Sequence, residues 1–247
     1  MDFIPNLFAK NELIVAFLVV GLIMFISVLV SKHLLRNKIP GAAVAITLGL
    51  VLAYFGGKKG IADIPLFAGM AFLGGSMMRD FSIVSTAMGA SLSEIKKSGW
   101  VGVLSLFIGT AVAFFIGGSM GYFMGYTDIK SVATIGAGAC TFIVGPVTGA
   151  ALGASSDIIA ISIAIGVIKT VIVTILTPLI AKRIGLNNPQ TAMIYGGLMG
   201  TTSGVAAGLA ATDPKLVPYG ALTATFYTGL ACLLCPSVYY FILSFFI

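Results

Sequence analysis

The residues with the clearest capacity for chemistry are one lysine inside an apolar run and two clusters of glycines and hydroxyls. Lys169 stands at the middle of the run from Ile158 to Ala181, where inserting a charge costs about 2.5 to 3.5 kcal/mol. A cation there needs a partner or a task. Thr170 and Thr174 share its segment and are spaced to lie on one helical face with each other. This polar group suits the counter-charge for a carboxylate ligand, or pairing with an acid such as Asp157 or Asp213. A helix boundary that lets the lysine snorkel is the plainer alternative. Asp157 and Asp213 each precede an apolar run and so also suit helix capping, Asp213 the more so because Pro214 follows it.

The two clusters repeat one another. GPVTG at 145–149 recurs as GTTSG at 200–204, and both read G-x-x-[TS]-G. Beyond them, Ala150, Ala151, Ala154 and Asp157 recur as Ala206, Ala207, Ala210 and Asp213 after a one-residue slip. Glycine lets a helix unwind at membrane depth, Pro146 removes an N–H, and hydroxyls re-satisfy the backbone groups set free. Unwound carbonyls and hydroxyls suit a hard cation such as sodium, and half-helix amino termini suit an anion. The candidate binding residues are therefore Thr141, Gly145, Pro146, Thr148 and Gly149 in the first copy, Gly200, Thr201, Thr202, Ser203 and Gly204 in the second, with Lys169 and Asp157 between them. Thr148, Thr202, Ser203 and backbone carbonyls are the expected sodium ligands. Glycines spaced by four also let membrane helices pack closely, as Gly117, Gly121 and Gly125 do with no repeat around them.

Composition says what must position these groups. Of 247 residues, 58% are hydrophobic and only 9% charged, against about 25% charged in soluble domains. With mean hydropathy of +1.09, the chain reads as an all-α polytopic membrane protein occupying 1–247 as one integral membrane domain. Cytosolic enzyme, disulfide scaffold and disordered chain are excluded. The net charge of +6 sits in clusters between apolar runs and reads as topology signal, not as nucleic-acid binding. Cys140, Cys232 and Cys235 lie inside apolar runs and read as packing. No Ser-His-Asp set, paired carboxylates, P-loop or metal cluster is legible, so an enzyme is not expected, and no cofactor beyond a coupling ion.

Six spans are expected: Leu13–Ser31, Ile39–Phe55, Ile61–Met78, Gly99–Gly125, Ile158–Ala181 and Val217–Phe246. A connecting helix follows Phe81, and helices up to about residue 98 precede two tandem units, 131–190 and 191–247. Each unit is a Gly-rich segment, re-entrant or broken, plus one span. Positive charge tests the alternatives. With both segments re-entrant, Lys32, Arg36, Lys38, Arg79, Lys96, Lys97, Lys182, Arg183 and Lys215 face the cytoplasm, while Lys10, Lys58, Lys59 and Lys130 face outward. With both crossing, Lys182 and Arg183 change sides, so re-entry fits the positive-inside rule better. One hairpin plus one span per unit makes the two copies inverted, a common plan of secondary transporters.

GAGACTFIVGPVTGAALGASSD at 136–157 and YGGLMGTTSGVAAGLAATDPKLVPYGALTAT at 195–225, with the size and span pattern, resemble the larger subunit, MadM, of the two-component malonate:sodium symporters. The resemblance implies sodium-coupled uptake of malonate, a small dicarboxylate, in a bacterial inner membrane. It also implies a smaller membrane partner, MadL. A membrane subunit of a sodium-translocating decarboxylase, or a non-catalytic assembly subunit whose glycines only pack helices, are the competing readings.

Overall fold

The computed structural model describes residues 11–36, 41–56, 61–70, 88 and 92–247. The stretch after Phe81 up to residue 91 and the pair Lys58 and Lys59 lie outside the described residues, apart from Met88. Two compact units divide the chain, 1–85 and 86–247. Among the described residues every regular element is helical.

In the first unit, α1 (Glu12–His33) packs against α2 (Gly41–Tyr54). The most apolar 18-residue window of α1 has a mean hydropathy of 3.2, yet only 17% of it is buried. Ile14, Leu18 and Phe25 point outward, each more than half exposed, as suits a helix surrounded by lipid. Two expected spans are described only in part. α2 covers 14 residues of the span expected over Ile39–Phe55, of which residues 39 and 40 lie outside the described ones. Two short 3-10 turns, Ile61–Asp63 and Pro65–Phe67, open the next stretch, Pro65 starting the second, and residues 71–78 of the expected Ile61–Met78 span lie outside the described residues.

The second unit carries the tandem segments. α3 (Leu92–Phe123) turns sharply at Gly99, whose φ of +50° only glycine adopts readily. From there to Phe123 it is long and apolar enough to cross a membrane, as are α1, Ser156–Ile180 and Pro214–Leu243. The remaining elements are α4 (Ile129–Cys140), α5 (Val144–Leu152), α6 (Ser156–Ile180), α7 (Pro189–Met199), α8 (Thr202–Ala210), a 3-10 turn (Pro214–Leu216), α9 (Val217–Leu234), a π turn (Cys235–Tyr239) and α10 (Tyr240–Leu243). Pro236 supplies no N–H, so the chain widens into the π turn and continues.

Both Gly-rich segments are broken helices. α4 opens at Asp128, whose side chain accepts from Ser131 N at 3.0 Å, and α7 opens at Asn188, which accepts from Thr191 N at 2.9 Å in a capping box. The first breaks at Thr141–Ile143 and folds back on itself. A Cβ added to Gly145 would lie 3.0 Å from Gly138 Cα, and one on Gly149 would lie 2.9 Å from Thr134 Cγ2. The contact steps forward on α5 as it steps back on α4, so the two half-helices run antiparallel. In the second, Ala192 of α7 and both Val205 and Leu209 of α8 reach the same residue of α9, Gly220. Its two halves therefore both pack on α9 at Gly220, and the end of the second returns to the level at which the first began.

Along α6 the two hairpins are opposed. Ile159 and Ser162 meet Gly149 and Gly145, and Gly166 is pressed against the first break at Phe142 N. Four residues on, Thr170 Oγ1 lies 2.7 Å from Thr201 Oγ1 in the second break. Thr177 then meets Gly208, and its hydroxyl lies 2.7 Å from the Tyr195 hydroxyl. One hairpin thus opens towards the start of α6, the other towards its end, and their tips meet at its middle. α3 spans the outer half-helices of both, with Gly109 on Leu198 and Gly117 on Gly136.

Candidate functional site

The meeting point of the tips is where the chain's polar groups gather. Lys169 Nζ donates to Ala139 O and Cys140 O, both at 2.9 Å, and so caps the carboxyl end of α4 and its partial negative charge. Its ammonium lies 5.4 Å from the centre of the Tyr227 ring, within cation–π range. Tyr227 is fully buried, and its hydroxyl donates to Gly109 O of α3 at 3.2 Å. A Cβ on Gly200 would strike the same ring, and Gly200 has φ +74°. Tyr227 therefore touches the second break, the lysine that caps the first, and α3.

Hydroxyls complete the cluster. Thr141 Oγ1 accepts from Ile143 N and Val144 N, both at 3.2 Å, and caps the start of α5. Thr170 Oγ1 joins Thr201 as above, Thr202 Oγ1 lies 3.4 Å from Thr225 Oγ1, and Thr228 Oγ1 lies 3.5 Å from Gly200 O. Ser203 is exposed beside the tip, and Lys169 and Thr202 are half-buried. Of the residues singled out from sequence, Thr141, Lys169, Gly200, Thr201 and Thr202 come together here.

The others fall elsewhere. GPVTG is not itself a break. Gly145, Pro146, Thr148 and Gly149 are all helical within α5, and the opening lies upstream at Thr141. Gly145 and Gly149 serve close packing against α4 and α6, and a Cβ on Gly204 would lie 2.9 Å from Thr170 O. Pro146 sits in the first turn of α5, where a missing N–H costs nothing. Thr148 is fully buried with a hydroxyl that has no partner among the described residues, on the Val144–Thr148–Leu152 stripe and away from the tips. Asp157 is exposed in the first turn of α6, 12 residues or about 18 Å of helix from Lys169, so it does not pair with it. Asp213 caps the 3-10 turn through Lys215 N at 3.0 Å.

Matching the halves by their breaks places Thr141 opposite Thr201, an offset of 60 that also pairs Asp128 with Asn188 and Gly136 with Gly196. The glycine motifs match at an offset of 55 and so compare a packing face with a break. Tyr227, Thr225 and Thr228 escape a reading of glycine pattern. Their signal is a run of hydroxyls, Thr223, Thr225, Tyr227 and Thr228, inside an otherwise apolar span.

A family model described as the malonate/sodium symporter MadM subunit matches residues 4–247. No curated protein and no solved structure matches the chain.

Proposed function

The chain belongs to the family of malonate/sodium symporter MadM subunits, and from that premise we propose that malonate and sodium bind where the two hairpin tips meet. Malonate is a small dianion and needs positive groups at membrane depth. Lys169 uses two of its three N–H donors on Ala139 O and Cys140 O, which leaves one for a carboxylate. The first turn of α8, at Thr202 to Gly204, turns its amides and positive dipole end towards the same region. Sodium supplies further positive charge and the coupling.

The units form an inverted repeat, hairpin plus span in each, within about six crossings. One bundle rocks against the other about the tips. Transport requires the small membrane subunit, a MadL-like partner, in a bacterial inner membrane. The observation that carries this proposal is the placing of Lys169 between Gly166, which touches one break, and Thr170, which touches the other.

Labelled malonate uptake into proteoliposomes tests it, with and without the small subunit and with an imposed sodium gradient. Uptake is expected only with both subunits and inward sodium. Absence of uptake under every condition overturns the proposal.

A further inference from the structure

The two tips are built alike but neutralised differently. At the first, the last carbonyls of α4 face the Lys169 ammonium at 2.9 Å. At the second, the Gly200 carbonyl that ends α7 meets only the Thr228 hydroxyl, at 3.5 Å, among the described residues. The hydroxyls around it are short of protons. Thr170 Oγ1 gives its single proton to Gly166 O at 2.9 Å, so the 2.7 Å contact with Thr201 takes its proton from Thr201. The Thr201 oxygen keeps both lone pairs. Thr225 likewise commits its proton to Ala221 O at 2.9 Å, so Thr202 donates across their 3.4 Å contact and keeps its own lone pairs. Gly200, Thr201 and Thr202 are thus consecutive residues beside the negative end of a half-helix whose oxygens keep lone pairs with no proton left among them. Such a donor set suits a hard monovalent cation.

The geometry points to Gly200 O, Thr201 Oγ1 and Thr202 Oγ1 as the seat of the coupling sodium, which takes at the second tip the place that the Lys169 ammonium takes at the first. This assignment rests on the symporter reading above. It drops Thr148, which lies on α5 away from the tips, and Ser203, whose side chain is exposed, from the expected ligands.

The test uses the complete two-subunit complex and reads sodium twice, as the concentration giving half-maximal malonate uptake and by calorimetric titration of the purified complex with sodium chloride. Thr201→Val and Thr202→Val should each raise both values about tenfold or more, the size of one lost charge-assisted contact. Malonate KM at saturating sodium should stay within about threefold. Thr201→Ser, which keeps the oxygen, should recover most of the loss, while Thr212→Val, whose hydroxyl bonds Gly208 O at the far end of α8, should leave sodium dependence as it was. Half-buried Thr202 keeps the test open should the buried Thr201→Val variant fail to fold. Wild-type sodium values for both valine variants, in uptake and in calorimetry, overturn the assignment. Malonate uptake by the wild-type complex with no sodium stimulation overturns the symporter reading and the ion site with it.

Discussion

Lys169 holds two roles that a single substitution separates. As a cap it satisfies two carbonyls at the end of α4, and as a cation it offers its remaining donor to a dianion. Lys169→Met should cost about 1–3 kcal/mol of stability, since buried carbonyls lose their donor. It should also lower kcat/KM for malonate by about 10- to 100-fold, which uptake kinetics beside a thermal melt would measure. A melted-down variant with unchanged malonate kinetics would leave the lysine only its structural role. Gly200→Ala probes the neighbouring contact. It forces a side chain into left-handed backbone, worth about 1–2 kcal/mol, and drives it into the Tyr227 ring. Adding Tyr227→Leu should return the steric share and leave the backbone share, a coupling that a double-mutant cycle on thermal stability would resolve. Lys169 was legible in the sequence because charge is costly in an apolar run. Tyr227 was not, because a tyrosine in a span reads as ordinary core until the fold brings it to Gly200.

At the scale of elements, the broken helices are legible from composition, yet the first break lies one turn upstream of the glycine motif that composition points to. Glycines at 145 and 149 do two jobs that look identical in sequence. They could unwind a helix, or they could let two helices touch, and here Gly138, Thr134, Ser162 and Ile159 fill the space a side chain would need. What opens the first hairpin is Thr141, a single hydroxyl with no glycine beside it. Gly145→Leu should therefore abolish uptake by prising α5 from α4 and α6, with the chain still inserted, as flotation with membranes would show; wild-type uptake would contradict the close packing. The π turn gives a second element to test. Pro236→Ala restores the N–H and lets α9 continue as α-helix, which turns everything beyond by roughly 100° per residue removed from the bulge. Tyr239 would then leave the Thr110 hydroxyl, now 2.9 Å away, and the Phe114 ring at 5.3 Å. Lower thermal stability with loss of uptake is expected; an unaltered melt would mean that the turn has no part in seating α9.

For the whole molecule the decisive quantity is which end of each hairpin faces which compartment. The start of α3, with Lys96 and Lys97, lies towards the open end of the second hairpin, because α3 meets α7 before it meets α4. Among the described residues of the second unit, Lys182, Arg183 and Lys215 flank that same end, whereas Lys130 alone flanks the open end of the first. Five cations against one is a stronger bias than the linear count gave, since the fold assigns each to a side without presuming the number of earlier spans. By the positive-inside rule Asn187 is expected on the cytoplasmic face and Ser155 on the opposite one. Single cysteines at these two positions, in a background where Cys140, Cys232 and Cys235 are serine, should react with a membrane-impermeant maleimide from opposite faces of oriented vesicles. Labelling of Ser155→Cys from the outside and Asn187→Cys only after permeabilisation is the expected result. If both positions label from one side, α6 does not cross between the hairpins, and the opposed arrangement that brings Lys169, Thr201 and Tyr227 together at membrane depth cannot hold.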